Sequence, residues 1–308
     1  MIEETGINTD DTDTIKVITK RGEIPFSVGY LAETLLAIGI TEDQAYSYAN
    51  TIYHKILKMD NNTFTADEVL DITGKHFEEI DLKLSKRVQV IKKGFSKLKP
   101  LIILFGGVTG IGKSTLAQIF TNRMGFKLLM GTDLIREVMR MAVSPKLMPT
   151  LHTSSYVAHL KLDTSFLPAL SKSIVGFEEQ ARSVIVGIEA AIDHAINDNE
   201  ILVVEGVHLV PGLLKQKFIQ NQNVILIQLS LKDENVHRSR LTHRETVQME
   251  RGTNYLEYFN EIREIQQYLL DLALKNEVPI VEVDSMDEAI INIINLVWDI
   301  SMKNIEEI

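Results

Sequence analysis

The sequence predicts an α/β chain. A doubly wound, parallel five-stranded sheet is expected over residues 96–308, after a small, mostly helical domain over 15–95. Three observations carry this. From residue 101 onward, short apolar runs alternate with helical segments, the mark of a parallel sheet covered on both faces. The first run leads through a glycine-rich turn, Gly107 to Gly112, into an amphipathic helix. A length of 308 residues with 45% hydrophobic and 24% charged positions suits one large globular domain or two smaller ones.

Along the chain, residues 1–14 carry Glu3, Glu4, Asp10, Asp11 and Asp13 without one Lys or Arg. That composition predicts a disordered acidic leader, the opposite of a signal peptide. The β-branched Ile15, Val17 and Ile18 predict a short strand and Lys20 to Glu23 a turn, with helices over 28–39 and 42–58. Thr41 with Gln44, and Thr65 with Glu68, fit capping boxes. A basic helix carrying Lys83, Lys86, Arg87, Lys92 and Lys93 runs toward Pro100, the expected boundary. Beyond it, strands are predicted at 101–105, 127–131, 201–204, 224–229 and 278–283.

Composition also excludes. There are no cysteines, so disulfides, thiolate metal sites and cysteine nucleophiles are ruled out. The formal net charge is −10, and no cluster of Lys and Arg gives a nucleic-acid footprint. No run reaches the roughly 18 to 20 apolar residues of a membrane span. The expectation is a cytoplasmic protein acting on a small molecule, with no nucleic-acid or membrane partner; oligomeric state is left open.

The turn matches G-x-x-x-x-G-K-[ST], the phosphate-binding P-loop. Gly107, Gly110 and Gly112 can take backbone angles that side chains forbid, so successive N–H groups, including that of Ile111, turn toward an anion. The helix starting near Lys113 adds its positive end. Lys113 is expected on the β- and γ-phosphates of ATP and Ser114 on Mg²⁺, with Thr115 among the ATP-binding residues.

Ligands of such sheets sit beyond the carboxyl ends of the strands. That rule selects Asp133 after the second strand, then Glu205 and His208 after the third. Asp133 reads as the group taking the proton of an attacking hydroxyl, or as the N-cap of a helix over 134–142. Glu205 reads as a contact to the divalent metal through water, or as a plain strand-end carboxylate. Arg136 and Arg140 share a helix face, which suits an anionic substrate or a solvated basic surface. His208 would donate to that anion or rest as a satisfied loop histidine. The segment 231–252, with Arg238, Arg240, Arg244 and Arg251, is expected as a lid stabilising transferred charge; His237, Arg240 and Arg244 fall on one helical face. The long stretch 143–182, with His152 to Tyr156, Lys172 and Arg182, should cover the acceptor.

FGGVTGIGKST (105–115), GTDLIREVMR (131–140), VSPKLMPTLHTSSY (143–156) and VVEGVHLVPG (203–212) together resemble the archaeal 2-phosphoglycerate kinases, over roughly residues 100 to 300. The N-terminal IKVITKRGEIPFS, with Lys20-Arg21 and Pro25-Phe26, is similar to an ATP-cone, although Gly22 displaces the usual acidic residue. The resemblance implies a P-loop kinase fold and ATP-dependent phosphorylation of the 3-hydroxyl of 2-phosphoglycerate. The product, 2,3-bisphosphoglycerate, leads to the cyclic 2,3-bisphosphoglycerate of that family. Catalytic roles are then expected for Lys113, Asp133, Arg238 and Arg244, and substrate contacts for Asp133, Arg136, Arg140, Arg182 and His208. The alternatives are a P-loop kinase for a nucleotide or sugar acid, and a non-catalytic ATP sensor. No N-K-x-D element follows a later strand and no D-x-x-G follows the third, which argues against a GTPase.

Overall fold

The structure is a computed structural model describing residues 15–19, 22–96, 98–163, 171–247 and 254–306. The expected acidic leader, Lys20, Arg21 and Arg251 lie outside the described residues. The chain divides into two compact units, Met1–Lys97 and Leu98–Ile308.

In the first unit, Lys16–Thr19 (β1) pairs antiparallel with Gly22–Pro25 (β2). Helices Val28–Leu36 (α1) and Glu42–Ile56 (α2) follow. Thr63–Thr65 (β3) then pairs parallel to β1 and passes into Ala66–Glu78 (α3) and Leu82–Lys92 (α4). One strand was expected here and three form. Segments of three or four residues are too short to show a period, and their pairing with β1 orders them. Both capping boxes form, with Thr41 and Thr65 each accepting from the N3 backbone while Gln44 and Glu68 reach back. Leu35, Ile38, Ile52, Ile56 and Phe77 fill the core.

The second unit begins with Leu101–Gly106 (β4) and Lys113–Arg123 (α5), then Leu128–Gly131 (β5) and Thr132–Ala142 (α6). Two 3₁₀ turns, Pro149–His152 and Ser155–Lys161, precede the long helix Lys172–Asn197 (α7). Ile201–Gly206 (β6), the short Gln216–Ile219 (α8) and Val224–Ser230 (β7) follow. Glu234–Val247 (α9), Phe259–Lys275 (α10), Ile280–Glu282 (β8) and Met286–Glu306 (α11) complete the chain. The sheet is five-stranded and parallel, in the order β5-β6-β4-β7-β8. Alternate residues of β4 serve its two faces. Ile102 and Leu104 pack with Val184 and Ile188 of α7, while Phe105 meets Phe120 of α5 edge-on. Because β5 and β7 fall on opposite sides of β4, the chain reverses its direction of travel at β4, and the loop after β4 opens at that switch point.

Several element ends differ by one to three residues from the sequence expectations, among them the following. Strand β6 runs to Gly206, so Glu205 lies inside the strand, opposite Phe105 and Gly131, rather than after it. Helix α6 starts at Thr132, with Gly131 in the cap position. Asp133 is therefore a first-turn residue and not the N-cap. Strand β8 covers only 280–282 of the predicted 278–283. Among the described residues, no helix is long and apolar enough to cross a membrane.

Candidate active site

The β4–α5 turn takes its shape from glycine. Gly110 has φ 88°, and a Cβ there would sit 2.4 Å from Leu241 Cδ2. Gly112, at φ 97°, occupies the cap position of α5 and leaves the first helical N–H groups facing the turn. Lys113 is 9% exposed and folds back over the loop, donating from Nζ to the Val108 carbonyl at 2.7 Å. Burial pushes its pKa down, while the carboxylates of Glu205 and Asp133 push it up. Both acids thus stand within electrostatic reach of the phosphate-binding lysine.

The Ser114 hydroxyl donates to Glu205 Oε1 at 2.9 Å, linking the first turn of α5 to strand β6 beside the central β4. Two adjacent oxygen donors at the mouth of a phosphate loop suit Mg²⁺, which takes few protein ligands and completes its shell with water and phosphate oxygens.

Helix α9 lies against the loop through the face that its spacing predicts. Nε2 of His237, a fully buried residue, donates to the Thr109 carbonyl at 2.9 Å, and Arg240 donates to the Ile111 carbonyl at 2.8 Å. Arg244 continues the row. A cavity of about 580 Å³ is lined by Gly110, Lys113, Ser114, Thr115, Arg240 and Arg244. A second, of about 550 Å³, is lined by Asp133, Arg136, Arg140, Ser154, Tyr156 and Arg244. Arg244 borders both.

The candidate substrate residues divide. Arg136 donates to the carbonyls of Leu151 at 2.9 Å and Thr153 at 3.1 Å, and Arg140 stands one turn further along. Glu137 bridges the two guanidinium groups, at 2.9 Å from Arg136 and 3.1 Å from Arg140. A carboxylate thus already occupies the fork the two present. Asp133, 3.6 Å from Arg136, has a largely exposed side chain open to the second cavity. Arg182 lies outside that cavity, exposed and paired with Glu178. Arg238 lines neither cavity, its guanidinium resting 4.0 Å from the centre of the Phe259 ring. The structure does not bring Arg182 or Arg238 together with the residues lining either cavity.

Of the two readings of His208, the contacts match that of a satisfied histidine. It is fully buried, with Nδ1 2.8 Å from Thr132 Oγ1 and Nε2 3.1 Å from Gln180 Oε1, leaving no nitrogen for an anion. Burial brings its pKa down to about 4, with nearby Arg136 and Lys113 acting in the same direction and Asp133 opposing. The unfolded chain therefore takes up a proton near pH 6.5 that the folded chain refuses until about 4. The stability tied to this group is complete above pH 6.5 and is lost as pH falls toward 4, by roughly 3 kcal/mol. Urea midpoints of the His208→Gln protein should decline less over that interval than those of the parent. Parallel declines would remove His208 as the titrating group.

Sequence reasoning passed over Glu137 and Tyr255, which both line the second cavity. Glu137 was legible, since it falls three residues before Arg140 on the same helix. Tyr255 reaches the site from beyond α9, 5.4 Å below Arg244, and no local pattern marks it.

A parallel sheet with a P-loop at its switch point, flanked by an arginine-bearing helix and a second cavity lined by Asp133, Arg136 and Arg140, defines an ATP-dependent P-loop kinase. No family model matches the chain. It is 35% identical over 296 residues to the 2-phosphoglycerate kinase of Methanopyrus kandleri, covering 96% of this chain and 90% of that one. Identity is again 35% to the enzymes of the same name from Methanothermobacter thermautotrophicus (87% and 88% covered) and Pyrococcus furiosus (95% of each). The chain belongs to the 2-phosphoglycerate kinase family.

Proposed function

We propose that the chain transfers the γ-phosphoryl group of ATP to the 3-hydroxyl of 2-phosphoglycerate, giving 2,3-bisphosphoglycerate and ADP. The observation that carries this reading is the position of Arg244 on the border of the P-loop cavity and of the cavity holding Asp133, Arg136 and Arg140. A phosphoryl group crossing from one cavity to the other passes that guanidinium. The acceptor carries a carboxylate and a phosphate, and the forks of Arg136 and Arg140 suit such groups in place of Glu137. Volume agrees, since about 550 Å³ admits a small phosphorylated acid.

In this mechanism the main-chain amides of residues 107–114 and the Lys113 ammonium hold the β- and γ-phosphates. Ser114, with Glu205 through water, would hold Mg²⁺, which supplies charge neutralisation between the β- and γ-phosphates. Asp133 takes the proton of the 3-hydroxyl as the new O–P bond forms and the bond to the β-phosphate oxygen breaks. Arg244 faces the charge on the moving group. Residues 15–95 are proposed as an ATP-cone-like domain, on the β1–β2 hairpin and the Pro25-Phe26 step that follows it, where Phe26 stacks on Tyr53.

An acceptor panel with ATP and Mg²⁺ tests the reading. Acceptor-dependent ADP release should occur with 2-phosphoglycerate and fall at least about a hundredfold with nucleoside monophosphates or gluconate, which do not present the same paired carboxylate and phosphate to the guanidinium groups. Equal rates with a sugar acid would move the chain to the sugar-acid alternative, and acceptor-independent slow hydrolysis to the sensor.

A further inference from the structure

A closed ring of contacts runs beneath the second cavity. Gln180 of α7 is fully buried and donates from Nε2 to the carbonyls of Thr150 and Thr153, the latter at 3.0 Å. Carbonyls only accept, so the amide orientation is fixed and Oε1 must face His208. His208 then donates from Nε2, which leaves Nδ1 bare to accept from the Thr132 hydroxyl at 2.8 Å. Every link has one permitted direction. Gly206 makes the approach possible, since a Cβ there would fall 1.7 Å from Thr132 Oγ1. The ring closes on the cavity side, where the Thr153 carbonyl also accepts from Arg136, whose Nε stands 3.6 Å from Asp133, the residue after Thr132.

We propose that Thr132, His208 and Gln180 are positioning residues for the acceptor: their buried chain holds the 150–153 turn so that Arg136 and Asp133 keep their places in the second cavity. The inference rests on the kinase reading above, because it takes that cavity as the acceptor site. The hydrogen bonds of Thr132, His208 and Gln180 join residues that do not line the P-loop cavity, so their loss should fall mainly on one substrate. Loss of the Thr132 hydroxyl frees the His208 ring to adopt the other tautomer. The Gln180 amide is then no longer held, and the Thr150 and Thr153 carbonyls it anchors, the latter shared with Arg136, lose their support. A carboxylate at position 180 acts more directly, facing two carbonyls with nothing to donate.

The test measures both Michaelis constants in Thr132→Val, Thr132→Ser and Gln180→Glu. Thr132→Val keeps the side-chain shape and removes the donor, so it should raise the KM for 2-phosphoglycerate about tenfold while the KM for ATP stays within twofold. Thr132→Ser, which restores the hydroxyl, should return the acceptor KM to within threefold of the parent. Gln180→Glu should exceed the valine effect if it folds, and Thr132→Val decides the matter if it does not. An unchanged acceptor KM in Thr132→Val, or an equal rise in both constants, overturns the inference. A parent protein with no 2-phosphoglycerate-dependent turnover would instead sink the proposed function.

Discussion

Lys113→Ala should reduce phosphoryl transfer on the order of 10³-fold, the scale seen when a single preorganised charge-stabilising group is removed. The side chain lies over its own loop with Nζ on the Val108 carbonyl, positioned to swing onto phosphate oxygens once ATP enters. Burial already lowers the pKa of the ammonium, so an incoming polyphosphate gives it a better partner than the loop carbonyl does. The same burial in a polar turn means that its methylenes contribute little to the apolar core. The variant should therefore keep a thermal midpoint close to the parent's while losing turnover. Steady-state kinetics beside a melting curve checks both parts. Turnover within tenfold of the parent would withdraw Lys113 from the phosphate site.

Arg244→Ala should lower kcat on a similar scale, on the order of 10³-fold, the lower end of what an arginine acting on a transferring phosphoryl group supplies. That corresponds to roughly 4 kcal/mol of transition-state stabilisation. Arg244 alone among the basic residues of α9 borders both cavities, and Tyr255 beneath it supports the guanidinium face. Its neighbours are committed elsewhere, Arg238 to the Phe259 ring and Arg240 to the Ile111 and Val283 carbonyls. The KM values for ATP and acceptor should change little, since the residue acts on charge that develops between the bound groups. A variant that raises either KM tenfold with kcat intact would make Arg244 a ground-state binding residue instead.

Legibility in the sequence followed the range of the interaction. The P-loop is contiguous, and its glycines, Lys113 and Ser114 are fixed by backbone geometry within eight residues. The parallel sheet was readable because strands buried on both faces are apolar throughout, as in β4, where all six residues are buried. The row His237, Arg240 and Arg244 followed from helical spacing alone. The ring contact of Arg238 was not legible because a cation packed on an aromatic ring has the same local pattern as one facing a ligand, and its partner Phe259 lies on a different helix. The two readings of His208 could not be separated for the same reason: Thr132 and Gln180 are 76 and 28 residues away in sequence.

By itself the sequence determined the phosphate loop, the parallel α/β architecture and the edge of the sheet where chemistry gathers. These depend on local backbone preference and on periodic burial, both of which are written along the chain. Only the tertiary structure decided which charged groups face the cavities and which serve the scaffold. That choice depends on partners brought together by the crossing of strands and helices, such as Glu205 with Ser114 or Thr153 with Arg136, and no stretch of sequence contains both members of such a pair.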